Sequence, residues 1–286
     1  MKLEELLGAQ GFVLLDGGLA TELEEHGFDL SDELWSARLL RDEPSAIAAV
    51  HRAYVAAGAD CVITASYQAT IESLGKELLR LSVKLAREAG PKLVAASVGP
   101  YGAARADGSE YTGDYDLDEQ GLAEWHRERL RVLDASGADL LACETLPSFA
   151  EARALAALPR KTPAWFSFTC RDGEHVSDGT PIVECARHLD AAPGVAAIGV
   201  NCTPPRHVVP LVERLRSVTA KPIVVYPNSG ERWDAAMRCW TGTRDPEEFA
   251  AAALRWRNAG ATLLGGCCRT GPLHVKAMRA ALLQAR

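Results

Sequence analysis

Eight cysteines are spread over 286 residues, and three of them stand where thiols could act together. Cys267 and Cys268 are adjacent in GGCC, and Cys202 closes the apolar run VAAIGVNC. Three thiolates on one zinc ion leave a fourth tetrahedral position for water or substrate, as in a catalytic rather than a closed structural site. Sulfur donors favour zinc over magnesium or calcium. The spacing is not that of a zinc finger, and buried thiols often serve as small apolar packing groups. Both readings stand at this point, as does a third in which Cys267 and Cys268 cycle as a vicinal disulfide.

Two carboxylates, Asp16 and Glu144, end otherwise apolar runs. As a pair they could grip a substrate ammonium, while Gly17-Gly18 would let backbone N–H groups approach a substrate carboxylate. The structural alternative is turn and helix capping. Of the other cysteines, all read as packing thiols, Cys61 and Cys143 lie in strand-like runs and Cys185 in a helix-like one, while Cys170 and Cys239 stand at loop positions with reserve ligation as their alternative. His207 and His274 follow the cysteine-bearing runs as outer partners of a metal or as plain helix residues. Asn201-Cys202-Thr203 matches a glycosylation acceptor, set aside because no secretory signal accompanies it.

The elements that must position these groups repeat. Ala57-Gly58-Ala59-Asp60, Ser136-Gly137-Ala138-Asp139 and Ala259-Gly260-Ala261-Thr262 each follow a helix-like stretch and precede a short apolar run. A glycine just past a helix accepts the left-handed conformation that ends it, so each phrase reads as a helix-to-strand junction. Five further runs, FVLLD (12–16), KLVAASV (92–98), AWFSFT (164–169), VAAIGVN (195–201) and PIVVYP (222–227), bring the count to eight. Continuous apolarity marks strands buried on both faces of a parallel sheet. Ser148 to Glu151 reads as a capping box. Thr180-Pro181 and Asp245-Pro246 place a capping residue before a proline at the first helical position. Eight βα units with no composition break predict a single (β/α)8 TIM barrel over residues 1–286, whose site lies at the C-terminal ends of the strands. The two long connections, 99–117 and 228–245, then fall on the active face as lids or as surface elaboration.

The composition is 48% hydrophobic and 24% charged with a net charge of −7, which fits a globular enzyme and disfavours a nucleic-acid partner. No apolar run approaches the ~20 residues of a membrane span. Met1 to Gln10 lacks a basic region and an apolar core. The expected location is cytoplasmic, and no residue pattern specifies an oligomeric state.

The stretches LLDGGLATELE (14–24), ELWSARLL (33–40), ITASYQAT (63–70), SVGPYGA (97–103), DGSEYTGDY (107–115), LLACETLPSFAEA (140–152), GVNCTPP (199–205), VVYPNSGERWD (224–234) and GGCCRTGP (265–272) resemble the homocysteine S-methyltransferases. SYQA and YPNSGE are similar to the branch that uses S-methylmethionine or S-adenosylmethionine. The resemblance implies zinc on Cys202, Cys267 and Cys268, with L-homocysteine sulfur in the fourth position. It further implies that Asp16 and Glu144 bind the homocysteine amino group, that the backbone at Gly18 and Leu19 takes its carboxylate, and that Trp35 lies near the donor pocket. Trp35, Tyr67 and Tyr226 are candidate aromatic faces for a sulfonium cation, or packing residues. In place of the family's longer loop after SYQAT, Ile71 to Lys76 runs almost directly into a helix. Selenocysteine or another thiol is the alternative acceptor on the same fold. A fragment of methionine synthase is disfavoured, since the chain has no folate or cobalamin domains.

Overall fold

The computed structural model describes residues 2–30, 35–234 and 239–285. The apolar runs form strands β1 (Val13–Leu14), β2 (Cys61–Ile63), β3 (Leu93–Val98), β4 (Leu140–Leu146), β5 (Ala164–Phe168), β6 (Val195–Asn201) and β7 (Ile223–Tyr226), then a hairpin of β8 (Arg232–Asp234) and β9 (Cys239–Thr241), then β10 (Leu263–Leu264). Apart from the hairpin, all pair in parallel in the order β1-β10-β7-β6-β5-β4-β3-β2. A parallel bridge between Leu15 and Cys61 joins the two ends of that order, so the sheet closes into the expected eight-stranded barrel.

Alternation along the strands builds two cores. Val13, Leu15, Cys61, Leu93, Ala95, Leu140, Ala142, Trp165, Ala197, Val224, Tyr226 and Leu263 point inward. Three of these are alanines, and their small volume makes room for Trp165 and Tyr226, both essentially buried. Removing Trp165 to Ala would cost about 3–5 kcal/mol, the usual range for a large buried ring. The intervening residues, Leu14, Val62, Val94, Leu141, Phe166, Ile198 and Val225 among them, face the helices in the outer core. Leu3 and Leu6 of the N-terminal helix Leu3–Gln10 plug the bottom of the barrel.

Gly58, Gly137 and Gly260 have φ of 108°, 85° and 121°, the left-handed turn expected at each helix-to-strand junction. Asp245 caps Pro246–Ala259 by accepting the Glu247 and Glu248 N–H groups at 2.8 and 3.1 Å. Two other helix starts differ from expectation. Ser148 accepts the Glu151 N–H at 3.3 Å, but the Glu151 side chain turns inward to His126 and the Tyr101 N–H instead of completing the box. Thr180 does not cap: the helix Ile182–Ala191 starts after Pro181, which occupies the cap position itself.

The long connections have structure of their own. Residues 99–117 contain the helix Tyr101–Arg105 and the 3-10 turn Ser109–Tyr111, and 228–245 contains the β8–β9 hairpin. The short loop after β2 leads into the helix Ile71–Glu88, capped by Thr70 and broken at Gly75, where φ is 75°. Among the described residues, no helix is long and apolar enough to cross a membrane.

Candidate active site

The C-terminal strand ends surround a cavity of about 440 Å³. On one wall the sulfurs of Cys202, Cys267 and Cys268 all lie within 4.8 Å of one another, and no other such group of potential metal ligands occurs among the described residues. Cys202 and Cys267 sulfurs are in disulfide contact, with Cα atoms 5.6 Å apart. The Cys267 and Cys268 sulfurs are 3.9 Å apart. Reduced, the three thiols have the donor chemistry of an open thiophilic metal site.

The backbone that presents them is tightly constrained. Gly18 passes so close to the last loop that a Cβ there would meet Cys267 O at 2.7 Å. Tyr54, fully buried, donates its hydroxyl to the carbonyls of Gly18 and Thr270 at 3.0 and 3.1 Å, tying the first loop to the last. Gly18 N–H donates to Thr270 O at 2.9 Å. That amide is paired within the protein. Leu19 is the first residue of the helix Leu19–Glu25 and part of the cavity lining. Thr145, Cys202 and Arg269, non-glycine residues of the rim, have φ of 56°, 45° and 65°. Strain of this kind collects at functional sites.

Asp16 and Glu144 line the same cavity and are 3% and 6% exposed. Asp16 Oδ2 accepts the Ile63 N–H at 2.8 Å, while its Oδ1 is buried with no hydrogen-bond partner among the described residues. Burial, and then the Glu144 charge, hold the Asp16 carboxyl well above its ordinary range. Glu144 accepts the Ser97 hydroxyl. Burial pushes its carboxyl up to about 7. Two desolvated carboxylates in one cavity form a strong attractor for a cation.

Tyr67 and Tyr226 also line the cavity. The Tyr226 hydroxyl accepts the Trp165 indole N–H at 3.0 Å and pairs with Ser167 Oγ at 2.7 Å, so its polar end is committed within the barrel. The Trp35 side chain lies outside the described residues. Cys170 is buried away from the thiol group, and the Cys239 side chain lies outside the described residues. His274 accepts the Gly271 N–H at 3.1 Å as a helix-start residue, and His207 ends the 3-10 turn Pro205–His207. Neither histidine joins the thiols.

Sequence reasoning passed over Thr145, Glu110, Tyr111 and Arg269, all on the cavity wall. It also passed over Tyr54 and Ser97, which act from behind it. Glu110 and Tyr111 stand in DGSEYTGDY, a stretch expected on the active face in which neither residue was singled out.

The family model for homocysteine S-methyltransferase matches residues 13–282. The chain belongs to the homocysteine S-methyltransferase family. Within it, homocysteine S-methyltransferase YbgG of Bacillus subtilis is 46% identical, over 97% of this chain and 96% of that protein. The homocysteine methyltransferase MmuM of Escherichia coli has been solved in a metallated form. It is 45% identical with a TM-score of 0.87, covering 97% of this chain and 99% of that one. The selenocysteine Se-methyltransferase of Brassica oleracea is 45% identical, over 96% of this chain and 90% of that protein. This family member thus shares the fold of an enzyme seen with metal, and its three thiols are grouped as a metal site requires.

Proposed function

We propose that this chain transfers a methyl group from a sulfonium donor, S-methylmethionine or S-adenosylmethionine, to the thiol of L-homocysteine, forming methionine. The observation that carries this reading is the juxtaposition, in one cavity, of three thiols with two buried carboxylates. Cys202, Cys267 and Cys268 would hold zinc. When bound, the ion keeps the acceptor sulfur a thiolate at a pH where a free thiol, with a pKa near about 8.5, is mostly protonated.

Asp16 and Glu144 orient the acceptor by its ammonium, and the Leu19 end of the helix Leu19–Glu25 faces its carboxylate. In the transfer step the acceptor sulfur forms a bond to the methyl carbon. The donor's sulfur–methyl bond breaks, its electron pair stays on the donor sulfur, and a neutral thioether leaves. The acceptor's thiol proton has already passed to solvent, so the step needs no general base, and the neutral thioether leaves without a general acid. The protein contributes alignment of sulfur, methyl and sulfur, and exclusion of competing nucleophiles. Thiols that must stay reduced fit a reducing compartment such as the cytoplasm.

The test is metal analysis of reduced protein and Cys202→Ser, with a donor panel of S-methylmethionine, S-adenosylmethionine and betaine. Zinc bound by the wild type, lost with activity in Cys202→Ser, is the expected result. Zinc-free protein that still transfers methyl would overturn the mechanism. The Brassica relative's name favours a second acceptor, selenocysteine, and competition against homocysteine separates the two.

A further inference from the structure

The connection after β3 is built to place two side chains. Arg105 pairs with Asp107 and with Asp116, each at 2.9 Å, and Asp107 accepts the Ser109 N–H at 3.0 Å. Gly102 packs so closely on the next turn that a Cβ would meet Glu110 N at 2.3 Å. The helix Tyr101–Arg105 and the turn Ser109–Tyr111 are therefore joined backbone to backbone. Their packing sets Glu110 and Tyr111 on the cavity wall.

Glu110 stands apart from the Asp16–Glu144 pair. Its Oε2 is shielded from solvent and has no hydrogen-bond partner among the described residues. Burial raises its carboxyl above the ordinary range, and nearby Asp107 adds to the effect. Glu110 is within electrostatic range of Tyr67, Tyr111 and Cys268, and the Tyr111 hydroxyl hydrogen-bonds Cys268. A carboxylate shielded in this way gains most from an arriving cation.

We propose that Glu110, with the rings of Tyr67 and Tyr111 beside it, recognises the sulfonium centre of the methyl donor. This rests on the methyl-transfer reading. An acceptor sulfur at the thiol group leaves the donor sulfur one methyl bridge away, and Glu110 and Tyr111 stand on the Cys268 side of the cavity, where the Glu24 charge also reaches that thiol. The donor's ammonium, several bonds farther along its chain, falls beyond that position. Aromatic faces attract onium cations, and the carboxylate supplies the countercharge. The sulfonium loses its charge as the carbon–sulfur bond breaks. Glu110 thus favours bound donor over thioether product, and its effect belongs in donor KM rather than in kcat.

Glu110→Gln keeps the shape and removes the charge. It should raise KM for S-methylmethionine about tenfold, the scale of one charged contact, with homocysteine KM and kcat nearly unchanged. Calorimetric binding of S-methylmethionine to reduced protein without acceptor should weaken by the same factor, whereas binding of methionine, whose sulfur is neutral, should hardly change. Dimethylsulfoniopropionate, a sulfonium without an ammonium, should suffer the same loss, and a loss confined to the amino-bearing donor would overturn the assignment. Tyr111→Leu, at an exposed side chain, is the second variant and should raise donor KM about threefold. Wild-type protein inactive with every sulfonium would defeat the functional reading. Active wild type with unchanged donor KM and affinity in both variants would defeat this inference alone.

Discussion

Thr145 and Asn201 hold each other through reciprocal hydrogen bonds: Thr145 N–H donates to Asn201 Oδ1 and Asn201 Nδ2 donates to Thr145 Oγ1, both at 2.7 Å. Each stands beside a site residue, Glu144 in one case and Cys202 in the other. The pairing of β4 with β5 shifts register between Cys143 and Leu146, and Thr145 and Cys202 both have left-handed backbones. Such bulges re-aim side chains near active sites. The amide pair is the brace that keeps both turns in place.

Asn201→Ala tests the brace. The Thr145 N–H is left buried without its acceptor, which should cost about 1–3 kcal/mol in a denaturant melt. Freeing the residue before Cys202 should weaken metal retention about 10–100-fold in chelator competition. Metal retention equal to wild type would show that the thiol geometry does not depend on the pair.

Glu144→Gln should separate function from stability. The folded carboxyl titrates at about 7, above its ordinary 4.5. Its contribution to stability is therefore fully present below about 4.5 and is lost as pH rises through about 7. Glutamine does not ionise, so the acceptor-free variant should gain thermal stability over wild type at pH 8 and show little gain at pH 5. Homocysteine KM should rise, since the ammonium loses a charged partner. In wild type, homocysteine binding should weaken as pH falls below 7. A stability difference equal at both pH values would refute the assignment of that titration to Glu144.

Tyr226→Phe distinguishes two uses of one residue. Phenylalanine keeps the ring but removes the hydroxyl that Trp165 and Ser167 share and that also reaches Glu144. A ring acting as a cation face would survive the change and leave donor KM as it was. A hydroxyl that supports Glu144 would not, and homocysteine KM should rise about threefold, a modest share of one hydrogen bond. Donor and acceptor KM measured side by side decide between them.

The barrel was legible because its signals are local. Apolar runs such as VAAIGVN and left-handed glycines such as Gly58 act within a few residues, and closure follows from counting units. The three thiols were legible because adjacency of Cys267 and Cys268 is rare and both follow a strand. Glu110 and Tyr111 were not, because their placement depends on Gly102 meeting a turn eight residues away rather than on a periodic pattern. At Gly18 the sequence marks a close approach without saying what approaches, and the Thr270 carbonyl is one such group. Asn201 looked like a glycosylation acceptor, yet it is fully buried and its amide is committed to Thr145.

Arg129 sets the frame behind Tyr67. It is 2% exposed and donates to the carbonyls of Ser66, Tyr67 and Gly99 at 3.2, 2.9 and 3.1 Å. One guanidinium thereby fixes the loop after β2 against the start of the loop that carries Glu110. Burial lowers its pKa to about 10, which leaves it charged at neutral pH, and the Glu151 charge offsets part of that lowering. Arg129→Met would leave three carbonyls without their donor and Glu151 without a nearby cation. The cost should be about 3 kcal/mol or more, lowering Tm by about 5–10 °C in a chain of this size. Arg129→Lys retains the charge but not the fork that spans three acceptors. It should recover much of the stability while donor KM stays raised and homocysteine KM stays normal. Full recovery of donor KM by lysine would mean that charge, not the geometry of the fork, positions the loop.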